Sequence, residues 1–371
     1  MRKALRVDKP LAVLLAALLL GGCMIFASAA FGLVARGATT ISSVVFNHLI
    51  LGVGAGLVAM VICAMIDYRW WRTLAPYVYV FAVLLTALVF VPHVGATLLG
   101  GRRWIVIGPV SLQPSEAMKV GSVMLSAAYF TAMRSKVGTW TWGLGGFLAI
   151  ILVPSAILVA QPDIGTLGIL CAAVFAVFWV AGAKIWHIAA VAVGGLLVLG
   201  LLVLTTPYIR ARVDTFINPS ANQSSQGYQI KQSLIAIGSG EFLGRGWGQG
   251  IQKFTYLPEP MGDSIFAVAG EELGFIGSVT LIVLFLLFGL RGFYIASRAP
   301  DMFGTLLAIG IATYLMFEAF FNIASMLGVA PLTGIPLTFV SQGGSAMLAS
   351  LASAGILLNI SRQPRTGNAG N

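Results

Sequence analysis

The sequence predicts an all-α polytopic membrane protein with ten transmembrane helices, both termini in the cytoplasm, and a long extracytoplasmic loop between helices 7 and 8. Three observations support this fold class. Hydrophobic residues make up 58% of the 371 residues, and the mean hydropathy is +0.94, which soluble domains do not reach. Ten apolar segments of spanning length can be drawn. The excess of positive charge falls in alternate connecting segments.

The apolar segments indicate a single membrane domain over residues 1–371. The predicted spans are residues 10–34, 43–66, 74–91, 114–132, 141–160, 164–182, 185–206, 263–290, 302–328 and 343–360. Helices 1–7 therefore occupy 10–206, the extracytoplasmic loop 207–262, helices 8–10 263–360, and the cytoplasmic tails 1–9 and 361–371. A lipoprotein cleavage site before Cys23 is the less favoured alternative, because the apolar run continues past it.

The net charge of +10 is explained by membrane topology. The alternate segments hold thirteen basic residues: Arg2, Lys3, Arg6, Lys9, Arg69, Arg72, Arg134, Lys136, Lys184, Arg291, Arg298, Arg362 and Arg365. They hold only three acids, and the nine basic and nine acidic residues elsewhere cancel. The positive-inside rule places these segments in the cytoplasm, so no nucleic-acid partner is needed. The three cysteines lie in apolar runs and the three histidines are scattered, so neither disulfides nor a zinc site is predicted.

Charged residues in the first outer loops suggest binding of an anion. Arg102 and Arg103 are adjacent on the outer side, against the inside bias, and the planar guanidinium group suits phosphate. Glu116 and Lys119 open the fourth span on one helical face, where an internal ion pair is the simpler interpretation. Asp163 lies in a tight outer turn and has a local alternative as a helix cap.

The outer loop 207–262 supplies further cations and a glycine-rich run. Its basic residues are Arg210, Arg212, Lys231, Arg245 and Lys253. Residues 228–237 are predicted to form a short amphipathic helix in the membrane interface. The run 238–250 is predicted to let the backbone approach a ligand closely.

The acidic residues are concentrated where this loop enters the eighth span. Residues 253–277 contain four of the twelve acids, Glu259, Asp263, Glu271 and Glu272. An ionisable group at the membrane boundary is a functional candidate, although Asp263 is also placed to cap the helix, which spacing alone favours. Glu271 and Glu272 lie about 12 to 14 Å deeper along a helix and are predicted to be structural. Glu318 lies deep in the ninth span without an obvious partner, and is expected to be protonated or to meet a cation.

Six stretches together resemble one known family, the SEDS proteins of bacterial shape, elongation, division and sporulation. They are Arg102–Ile105, Gln113–Lys119, Gln161–Thr166, Gly227–Gly240, Leu257–Gly274 and Thr333–Ser345. The match runs in order from the first span to Arg362. Met261 and Gly262 replace the commoner His-Thr pair, and Glu318 stands where glutamine is more usual. Gln342 and the ending 357–362 favour the division branch over the elongation branch.

The resemblance implies a ten-helix enzyme of the bacterial cytoplasmic (inner) membrane that polymerises lipid II into peptidoglycan glycan strands at the division site. Its implied partners are a class B penicillin-binding protein, which is a transpeptidase, and other division proteins. The aspartate matching Asp263 is regarded as essential in the family, which reverses the preference for a cap. Positions matching Glu116, Lys119 and Asp163 are also held to matter.

The chemistry of glycosyl transfer fits these residue types. Asp263 is the predicted general base, and cations are needed to stabilise the departing diphosphate. The candidate cations are Arg102, Arg103, Arg210, Arg212, Lys231, Arg245 and Lys253. The predicted substrate-binding set is Arg102, Arg103, Glu116, Lys119, Asp163, Arg210, Gln232, Ser233, Arg245, Lys253, Ser341 and Gln342. No cofactor is certain, and a divalent cation, Mg²⁺ or Mn²⁺, is the one candidate. The alternatives are a scaffold that activates the transpeptidase, and a lipid II flippase lined by Glu116, Lys119 and Glu318.

Overall fold

The structure is a computed structural model that describes residues 7–35, 37, 40–98, 101–108, 110–218 and 226–363. Predictions for residues 1–6, 219–225 and 364–371 lie outside this part of the chain. The helices in it are α1 Lys9–Ala35, α2 Ile41–Met65, α3 Arg69–Phe90, α4 Pro114–Ala132, α5 Trp140–Ala160, α6 Ile164–Val180, α7 Ile185–Thr205, α8 Pro207–Ile217, α9 Gln226–Ser239, α10 Gln252–Thr255, α11 Ile265–Arg298, α12 Met302–Met326 and α13 Gly344–Arg362.

Each of the ten predicted apolar segments coincides with a helix. Eight helices of the described ranges have the length and hydropathy of a membrane span: α1, α2, α3, α5, α7, α11, α12 and α13. The other two are α6, with 17 residues, and α4, which buries Glu116 and Lys119. The multi-pass membrane fold predicted from the sequence is therefore confirmed.

A small sheet lies between α3 and α4, where the all-α prediction has only a loop. Strands β1 Gly95–Leu98, β2 Gly101–Ile107 and β3 Val110–Leu112 pair antiparallel in the order β1-β2-β3. The alternating run from Arg102 to Ile107 is rich in aromatic and β-branched residues, which favour strands. This run is too short and too charged to be predicted as a membrane span, so hydropathy alone does not detect it.

The helix α11 is broken at Gly274, whose φ of 66° and ψ of −162° belong to a region open essentially only to glycine. A break leaves backbone groups unpaired, which lipid does not tolerate. Residues 241–246 fill the break. The bonds are Arg245 N to Glu271 O (3.0 Å), Gly246 N to Glu272 O (3.0 Å), Phe275 N to Glu241 O (2.8 Å) and Ile276 N to Phe242 O (3.2 Å).

The glycines of the outer loop serve this backbone contact. A Cβ atom on Gly240 would lie 2.0 Å from the carbonyl oxygen of Gly270, and one on Gly244 would lie 2.1 Å from that of Glu272. The glycine run therefore permits close approach to α11, and the prediction that it approaches a ligand is wrong for these two positions.

The loop residues near the break also contact α1. Trp247 donates a hydrogen bond to the carbonyl of Met24 in α1 at 2.9 Å. Towards the other end of α11, Arg291 forms a two-bond ion pair with Asp8 at 2.7 and 2.9 Å. Part of the predicted loop 207–262 therefore packs against α1 and α11.

Candidate functional site

Asp263 lies in the turn before α11, on the outer side. The nearest donor to its carboxylate is Gln229 of α9, whose Nε2 atom lies 2.9 Å from Oδ1. Asn322 of α12 donates to the Asp263 backbone carbonyl at 2.7 Å. The residue at the helix N-cap is Ser264, which makes no capping bond with its side chain. Asp263 is thus held by α9 and α12 and does not cap α11.

The surroundings of Asp263 raise the pKa of its carboxyl group to about 6. Burial is the main cause, and the negative charge of Glu259 adds to it. The hydrogen bond from Gln229 and the positive charge of Arg212 act in the opposite direction. A carboxylate with a pKa this close to neutrality is suited to take up a proton during a reaction.

The last outer loop connects Asp263 with the start of α6. A Cβ atom on Gly334 would lie 3.8 Å from Oδ2 of Asp263, and one on Gly165 would lie 2.8 Å from Thr333 and Ile335. The hydroxyl of Thr333 is buried without a hydrogen-bond partner. Residues 333–335 therefore form the wall between Asp263 and the helix end that carries Asp163.

Asp163 is both a helix cap and an ion-pair partner. Its carboxylate accepts from the backbone amide and the hydroxyl of Thr166 at 3.3 and 2.9 Å, so the capping prediction is correct. Oδ1 also lies 3.7 Å from Nη1 of Arg103. Arg103 donates to the carbonyls of Gln161 and Pro162 and lies 3.3 Å from the Tyr208 hydroxyl.

Arg103 and Arg102 have different roles because side chains alternate along a strand. Arg103 faces inward to Asp163, with 16% of its side chain exposed. Arg102 is exposed and belongs to the opposite face of β2. The structure thus places one of the two predicted arginines at the site.

Arg212 of α8 lies close enough to Asp163 and Asp263 for their charges to act on it. Its Nε and Nη1 atoms are buried without a hydrogen-bond partner, and its guanidinium lies over the Tyr208 ring at 4.4 Å. Burial and the charge of Arg103 lower the pKa of Arg212, while the charges of Asp163 and Asp263 raise it. A guanidinium group with two buried donor atoms free of hydrogen bonds is suited to bind an anion.

Arg210, the arginine named in the predicted set, lies away from this cluster. Its side chain is 69% exposed, and its Nε atom lies 3.8 Å from Asp214 one turn along α8. Residues two apart on a helix point to roughly opposite sides, since each residue turns it by about 100°. Arg210 and Arg212 therefore lie on different faces of α8, and only Arg212 is near Asp163 and Asp263.

Glu116, Lys119 and Glu318 form a separate cluster inside the helical core. The Nζ atom of Lys119 lies 3.0 Å from Oε2 of Glu116 and 2.8 Å from Oε2 of Glu318. The Lys119 side chain is 2% exposed and also lies 5.7 Å from the centre of the Tyr314 ring. The predicted internal ion pair is present, and Glu318 is not alone, because Lys119 is its partner.

Lys253 and Arg245 are engaged with the glutamates of α11. Lys253 is fully buried, and its Nζ atom lies 2.5 Å from Glu272 and 2.6 Å from the hydroxyl of Ser28 in α1. Glu271 accepts from the amide of Ile251 at 2.8 Å and lies 3.7 Å from Arg245. These contacts bury Lys253 away from the surface available to a substrate. They also pair Glu271 and Glu272 with other segments of the chain, as expected for structural residues.

The remaining predicted residues hold the outer loops in place. Ser341 donates to the carbonyl of Gly262 at 2.6 Å, and the Gln342 amide donates to the carbonyl of Met261 at 2.7 Å. Ser233 is buried with its hydroxyl 3.4 Å from the sulfur of Met326. Gln232 is half-buried beside it on α9. Ser341 and Gln342 thus tie the last outer loop to the turn that carries Asp263.

Two residues that the sequence argument left out of the predicted set lie at the centre of the site. Gln229 was only part of a matched motif, and Arg212 was one of several loop cations. The signal for Gln229 was its place on the helical face that carries Ser233, where a polar group opposes burial. No cluster of three or more histidine, cysteine or acidic residues occurs in the ranges that the structure describes.

Known proteins are similar to this chain over most of its length. The sequence model of a family described as cell cycle protein, which covers FtsW, RodA and SpoVE, matches residues 9–366. Stage V sporulation protein E of Bacillus subtilis is 38% identical over 85% of this chain and 86% of its own length. The probable peptidoglycan glycosyltransferase FtsW of Geobacter sp. strain M18 is 38% identical over 84% of both chains.

Two solved structures are similar over almost their whole length. A chain from a peptidoglycan synthase complex, solved to explain how polymerization and crosslinking are coordinated, has a TM-score of 0.77 and 28% identity over 96% of this chain and 98% of its own. The rod shape determining protein RodA of Thermus thermophilus has a TM-score of 0.71 and 27% identity over 98% and 99%.

Proposed function

The chain belongs to the SEDS family of FtsW, RodA and SpoVE cell cycle proteins, and on this premise we propose that it is a peptidoglycan glycosyltransferase that polymerises lipid II with Asp263 as general base. The observation that carries the proposal is that Asp263 and Arg212 lie close enough for their charges to act on each other. A half-buried carboxylate with a raised pKa lies near a guanidinium group with two buried donor atoms that have no hydrogen-bond partner. Transfer of a sugar from a diphosphate needs a proton acceptor and an anion-binding group, and these two residues supply them.

Asp263 takes part in one step of the proposed reaction, the removal of a proton from the acceptor. The hydroxyl oxygen of the acceptor sugar attacks the anomeric carbon of the donor, and its proton passes to the carboxylate of Asp263. Gln229 keeps the carboxylate oriented through its 2.9 Å hydrogen bond. A single base without a covalent intermediate inverts the anomeric centre, so an α-linked diphosphate gives a β-linked strand.

The leaving diphosphate requires cationic donors on the opposite side of the reacting carbon. As the bond between the anomeric carbon and the diphosphate oxygen breaks, its electron pair stays on the diphosphate. Arg212 has two buried donor atoms free to bind that charge. Arg103, held by Asp163 and the carbonyls at 161 and 162, supplies a second fixed guanidinium nearby. Fixed donors aimed at developing charge are the strongest contributors to such catalysis.

A divalent cation is compatible with the acidic groups at the site. Asp263 and Glu259 are close enough for the charge of Glu259 to act on Asp263. Mg²⁺ is often held by one or two carboxylates together with substrate phosphates and water. In that case Glu259 and the diphosphate would hold the ion, Asp263 would stay free to accept the proton, and the positive charge of the ion would add to that of Arg212.

The partners and location are proposed from the family. The similar chain in the peptidoglycan synthase complex supports a partnership with a class B penicillin-binding protein, which would crosslink the strands. The relatives named FtsW support action at the division site with other division proteins. The apolar helices support residence in the bacterial cytoplasmic membrane.

The test is polymerisation of lipid II by the purified full chain, with and without its transpeptidase and with Mg²⁺, Mn²⁺ or a chelator. Asp263→Asn should abolish polymer formation. Asp214→Asn, the same chemical change at an exposed outer position on α8, is the matched control and should keep wild-type activity. Full polymerisation by Asp263→Asn would refute the role of Asp263, and loss in both variants would indicate a general effect of outer charge.

The flippase and the scaffold make different predictions. A flippase would move the lipid II headgroup across liposomes, would lose this activity when Lys119 is neutralised, and would keep it in Asp263→Asn. Lys119 is enclosed with both of its acid partners in the core, which favours an architectural role. A scaffold would stimulate the transpeptidase equally well with Asp263→Asn. We rank the polymerase first, the scaffold second and the flippase third.

A further inference from the structure

A groove between α4 and α5 lies at the opposite end of the protein from Asp263. Its volume is about 370 Å³, and it is lined by Leu125, Tyr129, Thr141, Trp142, Gly145, Gly146, Ala149 and Ile150. The lining is apolar and aromatic apart from one threonine. By the distribution of positive charge, the connecting segment 133–139 beside it is cytoplasmic. The groove therefore lies in the half of the helical bundle nearer the cytoplasm.

The floor of the groove is fixed by Tyr129 and Gly146. A Cβ atom on Gly146 would lie 2.3 Å from the Tyr129 ring, so only glycine lets the ring lie flat against α5. The Tyr129 hydroxyl donates to the carbonyl of Trp142 at 2.9 Å. The groove is thus a preformed feature of the contact between α4 and α5, and its volume is within the range of small-molecule sites.

Three exposed cations lie in the connecting segments next to the cytoplasmic end of this groove. Arg134 and Lys136 lie in the turn after α4, and the Nζ atom of Lys136 lies 5.1 Å from the centre of the Trp142 ring. Lys184, which precedes α7, is brought to the same turn, since a Cβ atom on Gly138 would lie 3.1 Å from its Cε atom. We call Arg134, Lys136 and Lys184 the basic rim.

The basic rim has no acidic counterpart among the described residues. The three acids of the cytoplasmic segments are paired elsewhere, Asp8 with Arg291 and both Asp67 and Asp301 with Arg69. None of the three rim cations forms an ion pair within the described part of the chain. A cluster of cations beside an apolar groove therefore needs an external anion that also carries an apolar chain.

We propose that the groove and the basic rim bind an anionic phospholipid of the cytoplasmic leaflet. One acyl chain would lie along Tyr129, Gly146 and Ile150, and the phosphate headgroup would bind Arg134, Lys136 and Lys184. Basic pockets between helices on the cytoplasmic side suit anionic headgroups, and each cation near the surface strengthens the attraction. The exposed Trp140 and Trp142 lie at the level where aromatic rings meet lipid headgroups.

The test measures lipid retained by the full chain after purification in detergent and incubation with phosphatidylglycerol or with phosphatidylcholine, by native mass spectrometry. The wild-type protein should retain phosphatidylglycerol preferentially. The triple variant Arg134→Gln, Lys136→Gln and Lys184→Gln should reduce that retention by about tenfold or more, since three attractive charges are lost. The matched control removes three cytoplasmic charges away from the groove, Lys9→Gln, Arg72→Gln and Arg298→Gln, and should retain the lipid.

A second variant tests the acyl chain separately. Ala149→Trp fills the groove from an exposed position and should lower retention of both lipids, whereas Leu148→Trp, on the neighbouring exposed position outside the lining, should not. Equal retention by the rim triple variant and its control would overturn the proposal in favour of general attraction to a positive face. Unchanged retention by Ala149→Trp would show that the groove does not hold the chain.

Discussion

Lys119 and Glu318, 199 positions apart in the sequence, form an ion pair of 2.8 Å that is closed off from solvent in the helical core. Glu116 approaches the same Nζ atom at 3.0 Å. One cation therefore serves two carboxylates on α4 and α12. Removing one partner of a buried ion pair is strongly destabilising, because the remaining charge stays buried without a partner.

Replacing Lys119 by methionine should cost about 3–5 kcal/mol of stability, because two buried carboxylates lose their counter-charge. Glu318→Gln should be nearly neutral, because the amide can still accept a hydrogen bond from Lys119 while Glu116 keeps the charge balanced. Thermal unfolding of the purified chain in detergent measures both. Lys136→Met, at an exposed position, is the matched control, and equal loss in that variant would refute the explanation.

Arg212→Ala should lower the rate of lipid II polymerisation by about 100-fold, the order reported for loss of one fixed donor to a developing oxyanion. Arg210→Ala should stay within about twofold of wild type, because its side chain is 69% exposed and its ion pair in the described part of the chain is with the equally exposed Asp214. Initial rates at saturating lipid II compare the two. The opposite ranking would mean that α8 presents its other face to the substrate.

Polymerisation activity should fall as the pH drops below about 6, because Asp263 must be ionised to accept a proton. This fall is the acidic limb of the pH–activity profile. Glu259→Gln removes a negative charge that raises the pKa of Asp263, so the limb should move to lower pH. Gln229→Ala removes a hydrogen bond that lowers this pKa, so the limb should move to higher pH. Shifts in the same direction would exclude Asp263 as the titrating group.

The raised pKa of Asp263 also predicts the stability of the inactive variant. Some carboxyl groups have a higher pKa in the folded protein than in the unfolded protein. Such a group stabilises the fold at a pH below its unfolded pKa, and this stabilisation is lost as the pH rises through its folded pKa. Near pH 7.5 the ionised Asp263 therefore costs stability, and Asp263→Asn should melt at a higher temperature than wild type. Near pH 3.5 the two should melt together. A lower melting temperature for Asp263→Asn at pH 7.5 would contradict the assigned environment.

Gly274→Ala should destabilise the protein by about 3 kcal/mol or more, because alanine does not adopt this backbone conformation and its Cβ atom would lie 2.3 Å from the Gly244 nitrogen. Gly168→Ala on α6 is the matched control, since nothing lies within 4 Å of its Cβ position. That variant should be neutral or slightly more stable. Thermal unfolding of the two proteins gives the comparison.

The helices were predictable because lipid imposes a single condition on every span, an apolar run of sufficient length. This condition located α1 and α12 to within a few residues. It carried no information about the break at Gly274, since one glycine barely changes the hydropathy of a long apolar run. The same condition gave no information about β2 either, because that strand is shorter and carries Arg102 and Arg103.

The acidic residues of the site were predictable from the sequence, whereas its basic residues were less predictable. Asp263 and Asp163 stand out because carboxylates are rare in this chain. The choice among loop cations depended on tertiary contacts that no local pattern encodes: Lys253 is buried against Glu272 and Ser28, and Arg212 differs from Arg210 only by its face of α8. A helical period counted over residues 207–217 predicts that the two point apart, but it does not say which faces inward.

The four backbone bonds that join residues 241–246 to α11 impose an order of events during biogenesis. The loop is synthesised before α11, yet it has no partner until the ribosome has delivered residues 271–276. Until then the amides and carbonyls at the break have no partners within α11, and apolar surroundings do not satisfy such groups. This span is therefore complete only after the earlier loop has packed against it.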